Sequence, residues 1–364
     1  MEQIIFKPSL YKYGTCREFA EGFQLKETDL ILTNEYIYAP HFGELDLPCH
    51  VVYQEKYGMG EPSDVMAEAI LKDISGLHYE RIIAIGGGTI IDLAKVFAVA
   101  DTQDMDELYA RMPALNKAHE LVIIPTTCGT GSEVTNIAVL NRTRMGTKMG
   151  MVAPTMYADY AVLIPELLEG LPLKVFATSS IDALVHAVES ALSPKATAYT
   201  KLFSYKAIEM IVRGYQHIRK ALMDDFLTAS NFAGLAFGTA GCGTVHAMAY
   251  PLGGQYHVAH GESNYAIFTG VMKEYMRHKA DGEISVMNAY LAGLLGCGAD
   301  VVYETLEDLL NKILPKKALR EYGTKREDLP EWAKSVIDNQ QRLLKNSFIP
   351  MTEELVLKIY QDLY

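Results

Sequence analysis

Apolar positions in the first 170 or so residues come in short unbroken runs. Asp29–Thr33 (DLILT), Val51–Tyr53 behind Pro48, Arg81–Ile85 (RIIAI) closing on three glycines, and Glu120–Ile124 ended by Pro125 each have strand length. Between them the spacing changes. Asp64–Asp73 sets Val65, Ala69 and Ile70 at helical intervals behind Pro62-Ser63, and Thr89–Ala100 reads as a second helix. Apolar strands without alternation, divided by helices, predict a parallel sheet covered on both faces. After Pro172 the β-branched runs nearly vanish. Helix-period segments follow at Ile181–Leu192, Tyr199–Met223, Ala229–Ala240, Gly261–Arg277, Val301–Leu314, Trp332–Lys345 and Glu353–Leu363. The pattern predicts an α/β domain over 1–172 and an all-helical domain over 173–364, with the seam at Gly170 and Pro172 and a site in a cleft between them.

Composition narrows the function classes. A chain of 364 residues suits two domains, and 49% hydrophobic with 21% charged residues is ordinary for a globular protein. The net charge of −12, without any Lys/Arg-rich block, argues against nucleic acid as a partner. Such a chain needs a local cationic pocket to handle an anionic substrate. Cys16, Cys49, Cys128, Cys242 and Cys297 are dispersed and form no CxxC, so a reducing cytoplasm is expected rather than a disulfide framework or zinc ribbon. The start MEQIIFKPSLYKYG has no apolar core of a signal peptide, and no run is long enough to span a bilayer. No membrane partner is expected.

Two loops at predicted strand ends carry candidate chemistry. In Ile85–Lys95 (IGGGTIIDLAK) the chain runs strand, glycine turn, helix start, which removes Cβ atoms and offers unpaired N–H groups to a pyrophosphate. It matches neither GxGxxG nor a Walker loop, and a turn with glycines for packing alone is an equal alternative. Pro125–Thr135 (PTTCGTGSEVT) presents hydroxyls and amides after another strand, where they can bind phosphate or ribose; a plain Ser/Thr loop is the alternative. The pair together favour a bound dinucleotide.

A metal site is the second candidate. Asp182 and His186 stand four apart in SSIDALVHAVES, on one helical face, and His246 and His260 follow in VHAMAYPLGGQYHVAHGESNY. One carboxylate and three imidazoles suit Fe(II) or Zn(II) and leave coordination positions open for chemistry. For each histidine taken singly, a hydrogen-bonded core residue is the competing reading.

These four motifs, in this order, resemble the iron-containing (group III) alcohol dehydrogenase family from about Leu30 to beyond Tyr265. TNEYIY near Asn34, QEKYGMGEPSD from Gln54 to Asp64, Tyr250, the YHVAHGE run and QQRLL near Arg342 are most similar to its 4-hydroxybutyrate dehydrogenase branch. The resemblance implies the dehydroquinate synthase-like fold, in which a dinucleotide-binding α/β domain precedes an all-helical metal domain. It places the metal, Fe(II) first with Zn(II) the alternative, on Asp182, His186, His246 and His260. It places the NAD pyrophosphate at Gly87, Gly88 and Thr89 with Asp92 close by, lines the rest of the cofactor with Thr126, Thr127 and Thr130, and brings Lys148 to the nicotinamide ribose. Two departures stand out. Asn34 occupies the position where many members hold the adenine ribose with Asp, which weakens the preference for NAD over NADP. Tyr250 stands where alcohol-specific relatives place a histidine, so His257 or Tyr250 is expected to carry the proton relay.

The expected reaction is reversible hydride transfer between NAD(H) and a small ω-hydroxy acid, 4-hydroxybutyrate to succinate semialdehyde, in a homo-oligomer, a dimer. Arg142, Arg144 and Arg342 are unranked candidates for the substrate carboxylate. Three rival readings stay open. They are a same-fold dehydrogenase of neutral alcohols or diols, a non-redox NAD- and metal-dependent lyase, and a metal-stabilised binding protein without turnover.

Overall fold

The structure is a computed structural model that describes residues 2–218 and 223–364. The continuous apolar runs become the centre of a six-stranded sheet. Its strands are β1 (Ser9–Lys12), β2 (Asp29–Thr33), β3 (His50–Tyr53), β4 (Arg81–Gly86), β5 (Glu120–Pro125) and β8 (Tyr160–Leu163), in the spatial order β1-β8-β5-β4-β2-β3. Every pairing in it is parallel. All of β2, and all but the first residue of β4 and β5, is buried, because both faces are covered. The edge strand β1 is exposed along its length, so its sequence lacks the apolar run that marks the central strands. The sheet unit also holds an antiparallel hairpin, β6 (Ile137–Arg142) with β7 (Thr147–Val152), which the apolar pattern does not reveal. Its helices are α1 (Cys16–Gly22), α2 (Glu35–Phe42), α3 (Asp64–Ile74), α4 (Gly88–Phe97) and α5 (Met105–Ala110).

From α6 (Leu173–Leu192) onward the described residues form helices only. They are α7 (Ala198–Gln216), α8 (Met223–Ala240), α9 (Thr244–Tyr256), α10 (His260–His278), α11 (Glu283–Leu295), α12 (Val302–Asn311), α13 (Asp328–Asn339), α14 (Gln341–Leu344) and α15 (Glu353–Leu363). The expected helix over Tyr199–Met223 ends at Gln216, and its residues 219–222 lie outside the described residues. α6 is buried on nearly all sides, with α7, α8 and α10 packed around it. Such a helix can bury a metal-binding face without losing its packing. No described helix is long and apolar enough to cross a membrane.

The chain divides into two compact units, one of Phe6–Thr127 and Gly131–Leu171, the other of Pro172–Tyr364 with Cys128–Thr130 and the N-terminal residues up to Ile5. The transfer of Cys128–Thr130 to the helical unit has a local cause. A Cβ on Gly129 would stand 2.7 Å from the Ser179 carbonyl oxygen, so only glycine lets this loop lie against α6.

Candidate functional site

α6 presents Asp182, His186 and Glu189 at intervals of four and three, on one face; all three are buried. α9 brings His246 to that face and α10 brings His260. The His246 Nε2 lies 2.9 Å from His186 Nε2 and 3.6 Å from Asp182 Oδ1, and His260 Nε2 lies 3.8 Å from the same carboxylate oxygen. The four residues named from the sequence thus converge on one point.

Neighbouring groups orient the donors. His246 Nδ1 is 2.6 Å from Glu189 Oε2, and His186 Nδ1 is 3.2 Å from the Gly129 carbonyl. Both acceptors claim an Nδ1 proton, so each Nε2 lone pair faces the other ring. The His186 ring also stacks on Phe237 at 4.3 Å. The Asn264 amide donates to Asp182 Oδ1 at 2.7 Å, fixing the carboxylate. Two nitrogen lone pairs 2.9 Å apart beside a carboxylate repel unless a proton or a metal ion lies between them. Bonds of about 2.1 Å in a tetrahedral shell put donors roughly 3.4 Å apart, within the observed spread. The residues fit a divalent ion.

The electrostatics agree. Burial would raise the Asp182 carboxyl, but His186, His260 and His246 hold it well below the usual range. Burial lowers His186 to about 3, which keeps its ring neutral and its lone pair available. Burial also works against protonation of His246, yet Cys242, Asp182 and Glu189 outweigh it and raise that group. A pocket that draws a proton to that nitrogen draws a cation. The His260 side chain is 40% exposed while the other three donors are 6% or less, so the site opens on the His260 side.

Tyr250 follows His246 by four residues on α9, and its ring centre is 6.4 Å from that of His260. His257 caps α9 in the left-handed region (φ 54°) and is exposed. Among the described residues no hydrogen bond or ring contact joins its side chain to the donors.

In the sheet unit, Gly87, Gly88 and Thr89 line a cavity of about 260 Å³ together with Asn34, Tyr36, Gln54 and Glu55. Gly87 caps α4, and Gly88, Thr89 and Ile90 of its first turn line the same cavity, where the start of a helix can receive an anion. Gly86, by contrast, serves packing, because a Cβ there would stand 2.4 Å from the Ile90 side chain. Asn34 donates to Glu55 Oε2 at 2.8 Å and to Gln54 Oε1 at 3.2 Å, while Glu55 Oε1 accepts from the Glu35 N–H at 2.6 Å. A carboxylate therefore stands beside Asn34 after all. It comes from Glu55, which sequence reasoning missed because it follows a different strand.

The remaining cofactor candidates divide. Thr126 N–H donates to the Gly86 carbonyl at 3.1 Å, joining the two loops, and the Thr127 side chain lies 3.5 Å from where a Gly87 Cβ would be. Thr130 belongs to the helical unit. Asp92 accepts from the Ser132 hydroxyl at 3.1 Å and the Val139 N–H at 2.9 Å, tying α4 to the chain behind it. Lys148 pairs with Glu61 at 2.6 Å. The fully buried Lys95 donates to Ser132, Thr135 and the Ile137 carbonyl, and so anchors the threonine-rich loop.

Two arginine candidates are already engaged. Arg142 is buried between Asp64 and Asp106 over the Tyr109 ring, and Arg144 pairs with Glu68 at 2.6 Å. Arg342 is exposed.

The chain matches "Iron-containing alcohol dehydrogenase" over residues 16–165 and "Fe-containing alcohol dehydrogenase family, C-terminal" over residues 176–364. It is 47% identical to a 4-hydroxybutyrate dehydrogenase of Clostridium kluyveri across 100% of both chains. It is 35% identical to long-chain-alcohol dehydrogenase 1 of Geobacillus thermodenitrificans over 88% of this chain and 85% of that one. In fold it is similar to the crystal structure of sulfoacetaldehyde reductase from Bifidobacterium kashiwanohense in complex with NAD+, with a TM-score of 0.85 at 22% identity over 100% and 99% of the two chains.

Proposed function

The chain belongs to the iron-containing alcohol dehydrogenase family, and we propose that it interconverts 4-hydroxybutyrate and succinate semialdehyde with NAD(H) and a divalent metal, iron(II) before zinc(II). The observation that carries this reading is the convergence of Asp182, His186, His246 and His260 in a chain alike over its whole length to an enzyme of that name. When bound, the ion polarises the substrate oxygen and the nicotinamide gives or takes the hydride.

The protein's part is holding and proton transfer. Glu189, Gly129 and Asn264 fix the donors, so the open side at His260 has one geometry. Oxidation of the alcohol releases a proton as well as a hydride. Tyr250, whose ring centre is 6.4 Å from that of His260, carries that proton toward solvent, whereas among the described residues the exposed His257 has no hydrogen bond to the donors. Gly87, Gly88 and Thr89 receive the pyrophosphate at the start of α4, and Asn34 with Glu55 receives the adenine ribose.

The deciding experiment compares steady-state rates on 4-hydroxybutyrate, 1-butanol and 1,2-propanediol with Fe(II)- and Zn(II)-loaded protein, following NADH. A preference for the uncharged substrates would end the hydroxy-acid reading, and product formation without any NADH change would favour a lyase.

The cofactor preference has its own test. A 2′-phosphate on the ribose would meet the Glu55 carboxylate, and like charges so placed are costly. Glu55→Gln is expected to raise kcat/KM for NADPH on the order of 10-fold and to lower that for NADH a few-fold. An unchanged ratio of the two efficiencies would remove Glu55 from the ribose site.

A further inference from the structure

An acidic chain of net charge −12 needs a reason to place three cations together without an acid, and it does so beside the metal-ligand helix. The last turn of α6 runs into Lys195, whose N–H is bonded to Ser193 Oγ at 3.2 Å; that hydroxyl donates to the Ala240 carbonyl at 2.7 Å. On the other flank, the Asn346 amide donates both to the Cys242 carbonyl at 2.9 Å and to the Arg342 carbonyl at 3.3 Å. Residues 240–242 lead directly into α9, on which His246 and Tyr250 lie. The backbone at Lys195 and at Arg342 is therefore tied, through Ser193 and Asn346, to one short connection four to six residues ahead of His246.

Lys195, Arg342 and Lys345 are all exposed, and among the described residues none has an acid within ion-pair distance. Burial, then Lys345 and Arg342, push the Lys195 ammonium down, so the three charges feel one another. Burial raises the Tyr250 hydroxyl, and the Arg342 charge is the first influence that opposes it. Charges held in mutual repulsion at an open site lack the counter-ion that a substrate carboxylate would supply. The forked guanidinium suits a carboxylate, and two flanking ammonium groups add field without fixing geometry.

We propose that Arg342, flanked by Lys195 and Lys345, binds the carboxylate of the ω-hydroxy acid and so sets the preference for acids over plain alcohols. The inference rests on the hydroxy-acid reading and assigns its anionic end to one residue. Arg142 and Arg144, bound to acids of the sheet unit, take no part.

The test is the Arg342→Gln holoenzyme assayed on 4-hydroxybutyrate and on 1-butanol, with Arg342→Lys beside it. Loss of a charge-assisted fork is expected to lower kcat/KM for 4-hydroxybutyrate on the order of 30-fold, mainly through KM, with the loss confined to the carboxylate-bearing substrate. Arg342→Lys should recover part of it, because charge returns without the fork. An equal loss on both substrates, or a preference for 4-hydroxybutyrate that survives Arg342→Gln, overturns the assignment while leaving the hydroxy-acid reading intact. A wild-type enzyme without that preference removes the reading itself, and the assignment with it.

Discussion

His246→Ala is expected to leave a folded protein that holds little metal and has lost on the order of 10³-fold in kcat/KM, since an ion polarising the substrate oxygen is worth several kcal/mol. His246 is the donor common to the closest contacts. Its Nε2 is within 3.6 Å of both His186 Nε2 and Asp182 Oδ1. Removing it also leaves Glu189 buried without its imidazole partner. Glu189→Gln should be milder, about 10- to 100-fold in metal affinity, because the ring stays and only its basicity and orientation suffer. Elemental analysis of the purified variants, read beside the NADH assay, separates metal loss from a purely kinetic defect. A His246→Ala enzyme with full metal content and wild-type rate would show that the four donors hold no catalytic ion.

What the sequence disclosed and what it hid follow from the range of the interactions. The four converging residues were readable because each is a chemically distinctive residue at a helical interval or in a glycine-marked run. Glu189 carried the same signal, seven residues beyond Asp182 on the same helix, yet a buried acid in an apolar helix reads as a polar residue on a wet face until its partner is seen. Asn264, one turn after His260, was hidden likewise. The central strands announced themselves by continuous burial; β1 and the hairpin β6–β7 did not, having exposed or alternating positions. Glu55 lies on a different loop from Asn34, so only the folded chain joins them. Asp92 stands in a helix after a glycine turn, a place that suits a ligand contact, and only the folded chain shows that its oxygens also hold Ser132 and Val139. The short helix α14, which carries Arg342, was absorbed into one long predicted segment from Trp332 to Lys345, and that concealed where the arginine sits.

Gly261 supports the second large effect. It is the second residue of α10, directly after His260, and a Cβ there would stand 1.9 Å from the Thr178 carbonyl oxygen and 3.2 Å from the Asp182 Cβ. The nearest obstacle is backbone of α6, which cannot rotate aside. Intrinsic helix propensity favours alanine by about 1 kcal/mol, but overpacking of this kind costs typically 1–3 kcal/mol, so the clash should win. Gly261→Ala is therefore expected to push α10 away from α6, opening the 3.8 Å separation of His260 from Asp182 and releasing metal along with stability. A fall of roughly 2–4 °C in Tm per kcal/mol lost would accompany it in a chain of this class. The comparison variant is Gly293→Ala in α11, where a Cβ meets nothing within 4 Å; removing backbone freedom there should raise stability by roughly 0.4–1 kcal/mol and leave the metal in place. Thermal unfolding with metal analysis of both variants decides the matter. Should Gly261→Ala keep its metal and its Tm, the close approach of these two helices is not what positions His260.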